Sequence, residues 1–268
     1  MNTPLIDIDL LPRTPPMPVL FIGHGSPMNT LEDNVFTRSW EKLATELPRP
    51  AAILCVSAHW ETDGVAATAQ PWPQTIHDFH GFPDALYAMQ YKAPGAPAVA
   101  GWLAAHLGAQ EDLHWGLDHG TWSVLCRLYP QADIPVLQLS LDRQLDSAGH
   151  YRLGQQLAPL RERGVLILGS GNIVHNLRLM TRHGSYPWAD QFDQYIASAI
   201  LRADHDAVVH YARQGDAAQQ SVNSAEHFLP LLYVLGAAGP RHRVSFPTEG
   251  MALGSLSMRS VRLDAPHP

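Results

Sequence analysis

The sequence predicts one α/β domain, built on a central, partly parallel mixed sheet with helices on both faces. Three observations predict it. Four short apolar runs, β-branched or leucine-rich, are each bounded by Gly, Pro or polar turns, as buried strands are. Longer stretches of helical pattern lie between them, and strands alternating with helices argue for a sheet covered on both faces. The length of 268 residues and the 46% apolar content suit one large domain with a sizeable core.

Residues 1–17 are Pro-rich and poorly patterned and read as an arm over the surface; the domain proper spans 18–263. Its strands are expected at 19–22, 52–57, 136–139 and 165–168. Helices are expected at 35–46, 97–107, 120–128, 147–163, 189–203 and 230–235. There is no internal repeat and no low-complexity segment.

Composition narrows the function. With histidine neutral the net charge is -7, and nothing points to a nucleic-acid or acidic-membrane surface. No apolar run is long enough to span a bilayer, and the first residues lack a basic region followed by an apolar one, so no signal peptide is expected. Two cysteines, Cys55 and Cys126, make no disulfide framework, which suits a reducing cytoplasm. The outlier is histidine, with 15 against 7 phenylalanines. Histidine is the commonest metal ligand and the usual acid/base near neutrality, so position decides which ones matter.

Open α/β sheets carry their sites just beyond the strands' C-terminal ends. The first strand runs into Gly23-His24-Gly25-Ser26-Pro27, the second into His59-Trp60-Glu61 and the fourth into Asn172-Ile173-Val174-His175. One such histidine is as readily a core residue bonded to backbone; three at equivalent places favour a site. Glycines beside His24 allow a tight turn, against the alternative of a plain Gly/Pro turn. Ser26 is not in a G-x-S-x-G elbow and is a poor candidate nucleophile. Glu61 shares a strand face with His59 and is either a ligand, a supporting partner or a solvated carboxylate.

Further motifs extend the picture. His77-Asp78-Phe79-His80-Gly81-Phe82-Pro83 reads as a loop over a pocket, offering His77 and Phe79 to a flat ring, or as an aromatic-anchored surface loop. In Leu117-Asp118-His119-Gly120-Thr121-Trp122, Asp118 or Thr121 can cap a helix, and His119 at its start tends to stay neutral, as a general base requires. Gly169-Ser170-Gly171-Asn172 lacks the third glycine of a dinucleotide loop, because Val174 stands there. Glu226 and His227 are neighbours before a helix and point about 100° apart, so one of the two, His227, is expected to face a metal. Together these suggest a mononuclear site of three or four histidines, without H-E-x-x-H or zinc-finger spacing; spacing alone does not separate zinc from iron.

Five segments, GHGSPMN, SAHWET, LDHGTW, GSGNIVHNLR and SAEHFLPL, occur in an order that closely resembles the class III extradiol ring-cleavage dioxygenases, in particular the bacterial 4,5-DOPA dioxygenase extradiol family of the LigB-like superfamily. The resemblance runs from about Pro18 to Val261. It implies a non-haem Fe(II) enzyme that can carry Zn(II) as isolated. It implies His24 and His59 as the first two ligands and His227 as the third, where more distant members carry a glutamate; Glu226 stays open for that place. His175 is implied as a fourth ligand or a proton carrier, and His119 as a catalytic histidine beside the substrate. The implied substrates are dioxygen and a catechol such as L-DOPA, opened at the 4,5-bond to a seco-DOPA that leads to betalamic acid. Arg178 and His183 are candidates for a substrate carboxylate or plain solvated residues. A monomer or weak homo-oligomer is expected. Two other readings use the same histidines: a zinc hydrolase of an amide or lactone, in which the metal activates water, and a non-enzymatic metal-binding module. The module would be expected to lack one or more motif histidines, and all are present.

Overall fold

The computed structural model describes residues 11–266. An eight-stranded sheet runs through the molecule. Its strands are β1 (Val19–Gly23), β2 (Ala52–Thr62), β3 (Ala66–Thr68), β4 (Gln110–Asp112), β5 (Val136–Asp142), β6 (Val165–Gly171), β7 (Arg243–Thr248) and β10 (Ser260–Asp264), in the order β4-β3-β5-β2-β6-β1-β10-β7. A separate two-stranded ribbon joins β8 (Met251–Ala252) to β9 (Leu256–Ser257). The four central strands, β5, β2, β6 and β1, are parallel to one another. They are β-branched and leucine-rich because both faces are covered; every residue of β1, β5 and β6 is buried. β10 and β7 add to the β1 edge antiparallel, and β3 pairs antiparallel with β5. The mixed, partly parallel sheet is as the sequence predicts. The C-terminal strands are not, because β7 is half exposed and offers no apolar run.

The helices are α1 (Val35–Glu46), α2 (Asp84–Tyr87), α3 (Pro97–Leu107), α4 (His119–Leu128), α5 (Ser147–Gln156), α6 (Ala158–Arg161), α7 (Pro187–Leu201), α8 (His205–Val209), α9 (Asp216–Ser221) and α10 (Leu229–Ala238). They form a core on each face. Alternation along β6 divides them: Val165 and Ile167 join the core under α3, α7 and α10, whereas Leu166 and Leu168 join Trp40 of α1 and Trp122 of α4 on the other side. Every residue of α10 is buried, which explains its lack of a polar stripe. The single helix expected over 147–163 is two, α5 and α6. Pro159 lacks an N–H and its ring crowds the carbonyl four residues back, so the helix cannot run through it.

Residues 1–10 of the expected arm lie outside the described residues. Its remaining residues are tied down: the Thr14 and Met17 amides donate to the carbonyls of Glu162 and Arg161 at 2.9 and 3.0 Å, and Met17 is buried. Cys55 and Cys126 are free thiols. No helix among the described residues is long and apolar enough to cross a membrane.

Candidate metal centre and active site

Each motif histidine is placed by a different local device. His24 leaves β1 with its amide bonded to the Gly171 carbonyl at 2.9 Å, and Gly25 takes the left-handed φ of 61° that turns the chain. His59 lies inside β2, not beyond its end. Val56 pairs with Leu139 and Glu61 with Leu141, so five residues of β2 advance against two of β5. This bulge breaks the alternation of side chains and aims His59 out of the strand's ordinary pattern. Glu61 rejoins the ladder and is exposed, so the two do not share a face toward the site. His119 is the first residue of α4, whose N-cap is Asp118, with its carboxylate accepting from the Thr121 amide at 3.1 Å. His175 follows β6, held through its amide to the Ser221 carbonyl at 2.8 Å. His227 precedes α10, and its carbonyl accepts from the Asn172 amide at 2.9 Å.

The Gly169-Ser170-Gly171 run has a reason unrelated to nucleotides. A Cβ on Gly171 would stand 2.1 Å from the His227 carbonyl oxygen, and one on Gly169 2.6 Å from that of Pro230. Only glycine lets the His227 segment and α10 lie this close against β6.

The rings converge. Those of His24, His59 and His227 form a nearly regular triangle, with centres 5.1, 5.3 and 5.0 Å apart. A ligating nitrogen sits ~2.1 Å from a zinc-like ion and the ring centre ~1.1 Å further, so two imidazoles at a tetrahedral angle have centres ~5.2 Å apart. The triangle fits one ion. His119 joins from the side, its ring centre 3.9 Å from that of His59 and 6.0 Å from that of His24. Donor atoms of His24, His59 and His119 lie within 4.8 Å of one another, as do those of His175, Glu226 and His227. These two sets share no residue; it is the ring-centre spacing that groups His227 with His24 and His59, since the His24–His59–His119 spacings of 5.1, 6.0 and 3.9 Å are uneven.

The hydrogen bonds fix which nitrogen is free. The Ser170 hydroxyl donates to the Gly120 carbonyl at 2.5 Å, so toward His24 its oxygen can only accept, and Nδ1 of His24, 3.0 Å away, carries the proton. Nδ1 of His227 faces the Glu226 carboxylate at 3.0 Å, and Nδ1 of His119 faces that of Asp78 at 2.8 Å. All three rings are thereby Nδ1–H tautomers that leave a bare Nε2 lone pair. Nε2 of His59 stands 3.3 Å from Nε2 of His24. With the His24 proton on Nδ1, its Nε2 lone pair faces Nε2 of His59, and a cation between the two nitrogens would be ligated by both once His59 is likewise Nδ1–H. The donor set therefore fits a divalent metal.

Electrostatics agrees. Burial, then the neighbouring imidazoles, hold His24 and His227 well below the usual histidine range. Burial and the His119 charge bring His59 down to about 3, against the pull of Asp78; burial brings His175 to about 4, against Glu226. These rings are uncharged at neutral pH and able to bind metal. Burial pushes the Asp78 carboxyl up, but its hydrogen bonds with His119 outweigh this and the net shift is downward. Its two oxygens accept from the His119 amide and Nδ1, both at 2.8 Å.

Above the imidazoles opens a cavity of about 470 Å³. Phe79 and Phe82 form one wall, and the Phe79 ring meets His119 edge-on at 5.6 Å. The loop over the pocket expected from the sequence is thus in place. His77 is not on the wall: it bonds the Met89 carbonyl at 3.0 Å and packs behind Phe79. Arg178 is not on the wall either. It sits in a 3-10 turn, Leu177–Leu179, where residues three apart share a side; Leu177 and Met180 face the cavity and Arg178 is exposed. His183 is also exposed. Ser26 caps the turn Pro27–Thr30, its oxygen accepting from the Met28 amide.

Two residues central to this geometry carry no signal of their own in the sequence. Asp78 stands there as one member of an aromatic loop, and Ser170 as the middle of a glycine motif that lacks its third glycine. Their partners lie 41 and 146 residues away, and nothing local announces such pairings.

Comparison with known proteins places the chain. Residues 13–259 match the family described as the catalytic LigB subunit of aromatic ring-opening dioxygenase. A protein of Escherichia coli (strain K12) named 4,5-DOPA dioxygenase extradiol is 47% identical over 97% of this chain and 99% of its own. One of Beta vulgaris with the same name is 41% identical over 90% of this chain and 94% of its own. A crystal structure of an uncharacterized protein from Escherichia coli K12 superposes with a TM-score of 0.79 at 44% identity, covering 92% of this chain and 99% of that one. With this fold and these histidines, the chain belongs to the LigB family of aromatic ring-opening dioxygenases, and is an oxidoreductase of the extradiol dioxygenase class.

Proposed function

We propose that the protein opens the ring of a catechol such as L-DOPA, at a single Fe(II) held by His24, His59 and His227, with both atoms of dioxygen entering the product. With L-DOPA the 4,5-cleavage product is a seco-DOPA, the precursor of betalamic acid. The observation that carries this reading is the regular triangle of imidazoles, two of them locked with Nε2 free, at the floor of an aromatic-walled cavity. Zn(II) suits the same nitrogens and is expected in protein isolated without added iron. When bound, the metal supplies Lewis acidity toward the catechol oxygens and electrons toward dioxygen.

The remaining residues orient the ring and move protons. Phe79 and Phe82 offer flat apolar surface to the aromatic ring. His119 accepts a proton from a catechol hydroxyl at Nε2, because Asp78 keeps its other nitrogen protonated and stabilises the imidazolium that forms. His175 is a proton carrier and not a ligand. Its ring lies flat on that of His227, 3.5 Å between centres and 6° between planes. Imidazole lone pairs lie in the ring plane, so two stacked, parallel rings would not both aim one at the same ion. Glu226 supports His227 in this reading, its Oε1 accepting from His227 Nδ1 and the Ser224 hydroxyl.

The test is oxygen uptake by the Fe(II)-reconstituted protein with L-DOPA and a panel of other catechols. Uptake with a yellow, ring-opened product is expected. Metal-loaded protein that consumes no oxygen with any catechol refutes the proposal.

A further inference from the structure

Past the imidazoles the cavity wall changes character. At its mouth stand Leu177, Met180 and Leu253, exposed by 54%, 49% and 41%. A lone exposed leucine needs no explanation, but three large apolar side chains at the rim of one cleft do. The rim is built, not loose. The Thr181 amide donates to the Leu253 carbonyl at 2.9 Å, Asn176 to Ser255 at 3.1 Å and Tyr186 to Gly254 at 3.1 Å, so the Leu177 turn and the β8–β9 turn are bound together.

Leu253 is also held at a φ of 47°, in the left-handed region that favours glycine or asparagine, and Gly254 beside it has a φ of 70°. A leucine there is unfavourable twice, in its backbone and in the apolar surface it shows to water. A ligand that covers it offsets the second cost. The charge of the cavity points the same way. Among the described residues no lysine or arginine lines it, and the one carboxylate on its wall, Asp78, faces His119 with both oxygens. An amino-acid carboxylate here would find Ser26 and His80 but no lysine or arginine to pair with.

We infer that this rim seats an uncharged, apolar substituent of the catechol, an alkyl or aryl group, and that catechols so substituted bind in preference to L-DOPA. The inference rests on the catechol reading above and names the substrate class within it. The volume supports it: about 470 Å³ lies in the range of ~300–1,000 Å³ that accommodates ligands well beyond a bare catechol ring.

The experiment is calorimetric titration of the anaerobic, Fe(II)-loaded protein with 4-methyl-, 4-propyl- and 4-butylcatechol and with L-DOPA, followed by oxygen-uptake kinetics on the same series. Kd is expected to fall about threefold to fourfold for each methylene that the rim covers, and L-DOPA to bind about tenfold or more weakly than 4-propylcatechol. Leu253→Asn removes apolar surface while easing the backbone, so the fold is retained; it is expected to flatten the dependence on chain length. Leu201→Asn, an exposed leucine of α7 away from the cavity, is expected to keep it. A Kd that ignores chain length, a dependence unmoved by Leu253→Asn, or L-DOPA binding as tightly as 4-propylcatechol overturns the inference and leaves ring cleavage standing. Failure of every catechol to bind and to be consumed overturns both.

Discussion

Ser170→Ala probes the metal site without touching a ligand. The hydroxyl does two things: it donates to the Gly120 carbonyl at 2.5 Å and accepts Nδ1–H of His24 at 3.0 Å. All of these groups are buried. Alanine leaves the buried imidazole N–H of His24 unpaired, at about 1–3 kcal/mol, while the Gly120 carbonyl keeps its bond along α4. The metal-free protein has an escape. His24 can move its proton to Nε2 and donate it to Nε2 of His59, 3.3 Å away. That relaxation must be reversed before metal binds, so much of the His24 penalty appears as lost affinity, about 10-fold to 100-fold. The assay is competition for Zn(II) or Fe(II) against a chromogenic chelator, wild type beside variant at one pH, with urea unfolding of the metal-free forms. Ser260→Ala is the control, because its buried hydroxyl has no partner and its loss should leave metal affinity alone. A folded Ser170→Ala protein whose affinity stays within about twofold of wild type would refute the tautomer argument.

The same geometry sets three other expectations. His175→Ala should retain metal at near wild-type affinity and lose ring cleavage; metal content of the purified variant decides, and loss of the ion would make His175 a ligand. Gly120→Ala should destabilise by about 1–3 kcal/mol and weaken metal binding, since the new Cβ would fall 2.4 Å from Ser57 Oγ and 2.9 Å from the His59 ring. Thermal unfolding and chelator competition read both effects, and an alanine variant as stable as wild type contradicts the packing account. The metal-free protein should lose stability on acidification. His24, His59, His175 and His227 titrate lower folded than unfolded, so the unfolded chain binds more protons below about pH 6.5. Stability is therefore full above that pH and falls as the pH drops toward 4 and then 3, by about 1.4 kcal/mol per pH unit for each extra proton. Urea unfolding between pH 7 and 4.5 measures the slope; a flat profile would show that these rings are not held neutral.

What the sequence determined by itself was the framework. Apolar runs bounded by turns placed the four central strands, because strands buried on both faces must be apolar at nearly every position. Histidines just past β1 and β6 pointed to the candidate site, since a parallel sheet gathers its loops at one end. Signals failed where the determining interaction was not local. The β7 and β10 edge carries no continuous apolar run. Strand β2 runs on through His59 because a bulge against β5, not the strand's own pattern, aims that ring. Tertiary structure alone decided the detail of the candidate site: that the Glu226 carboxylate faces Nδ1 of His227, that Arg178 is exposed and off the cavity wall, and that Asp78 and Ser170 set the tautomers of His119 and His24. Each depends on hydrogen-bond geometry between segments far apart in the chain, or on the direction a side chain takes from a turn. Sequence spacing carries neither, because a hydrogen bond is defined by angstroms and angles that only the packed fold supplies.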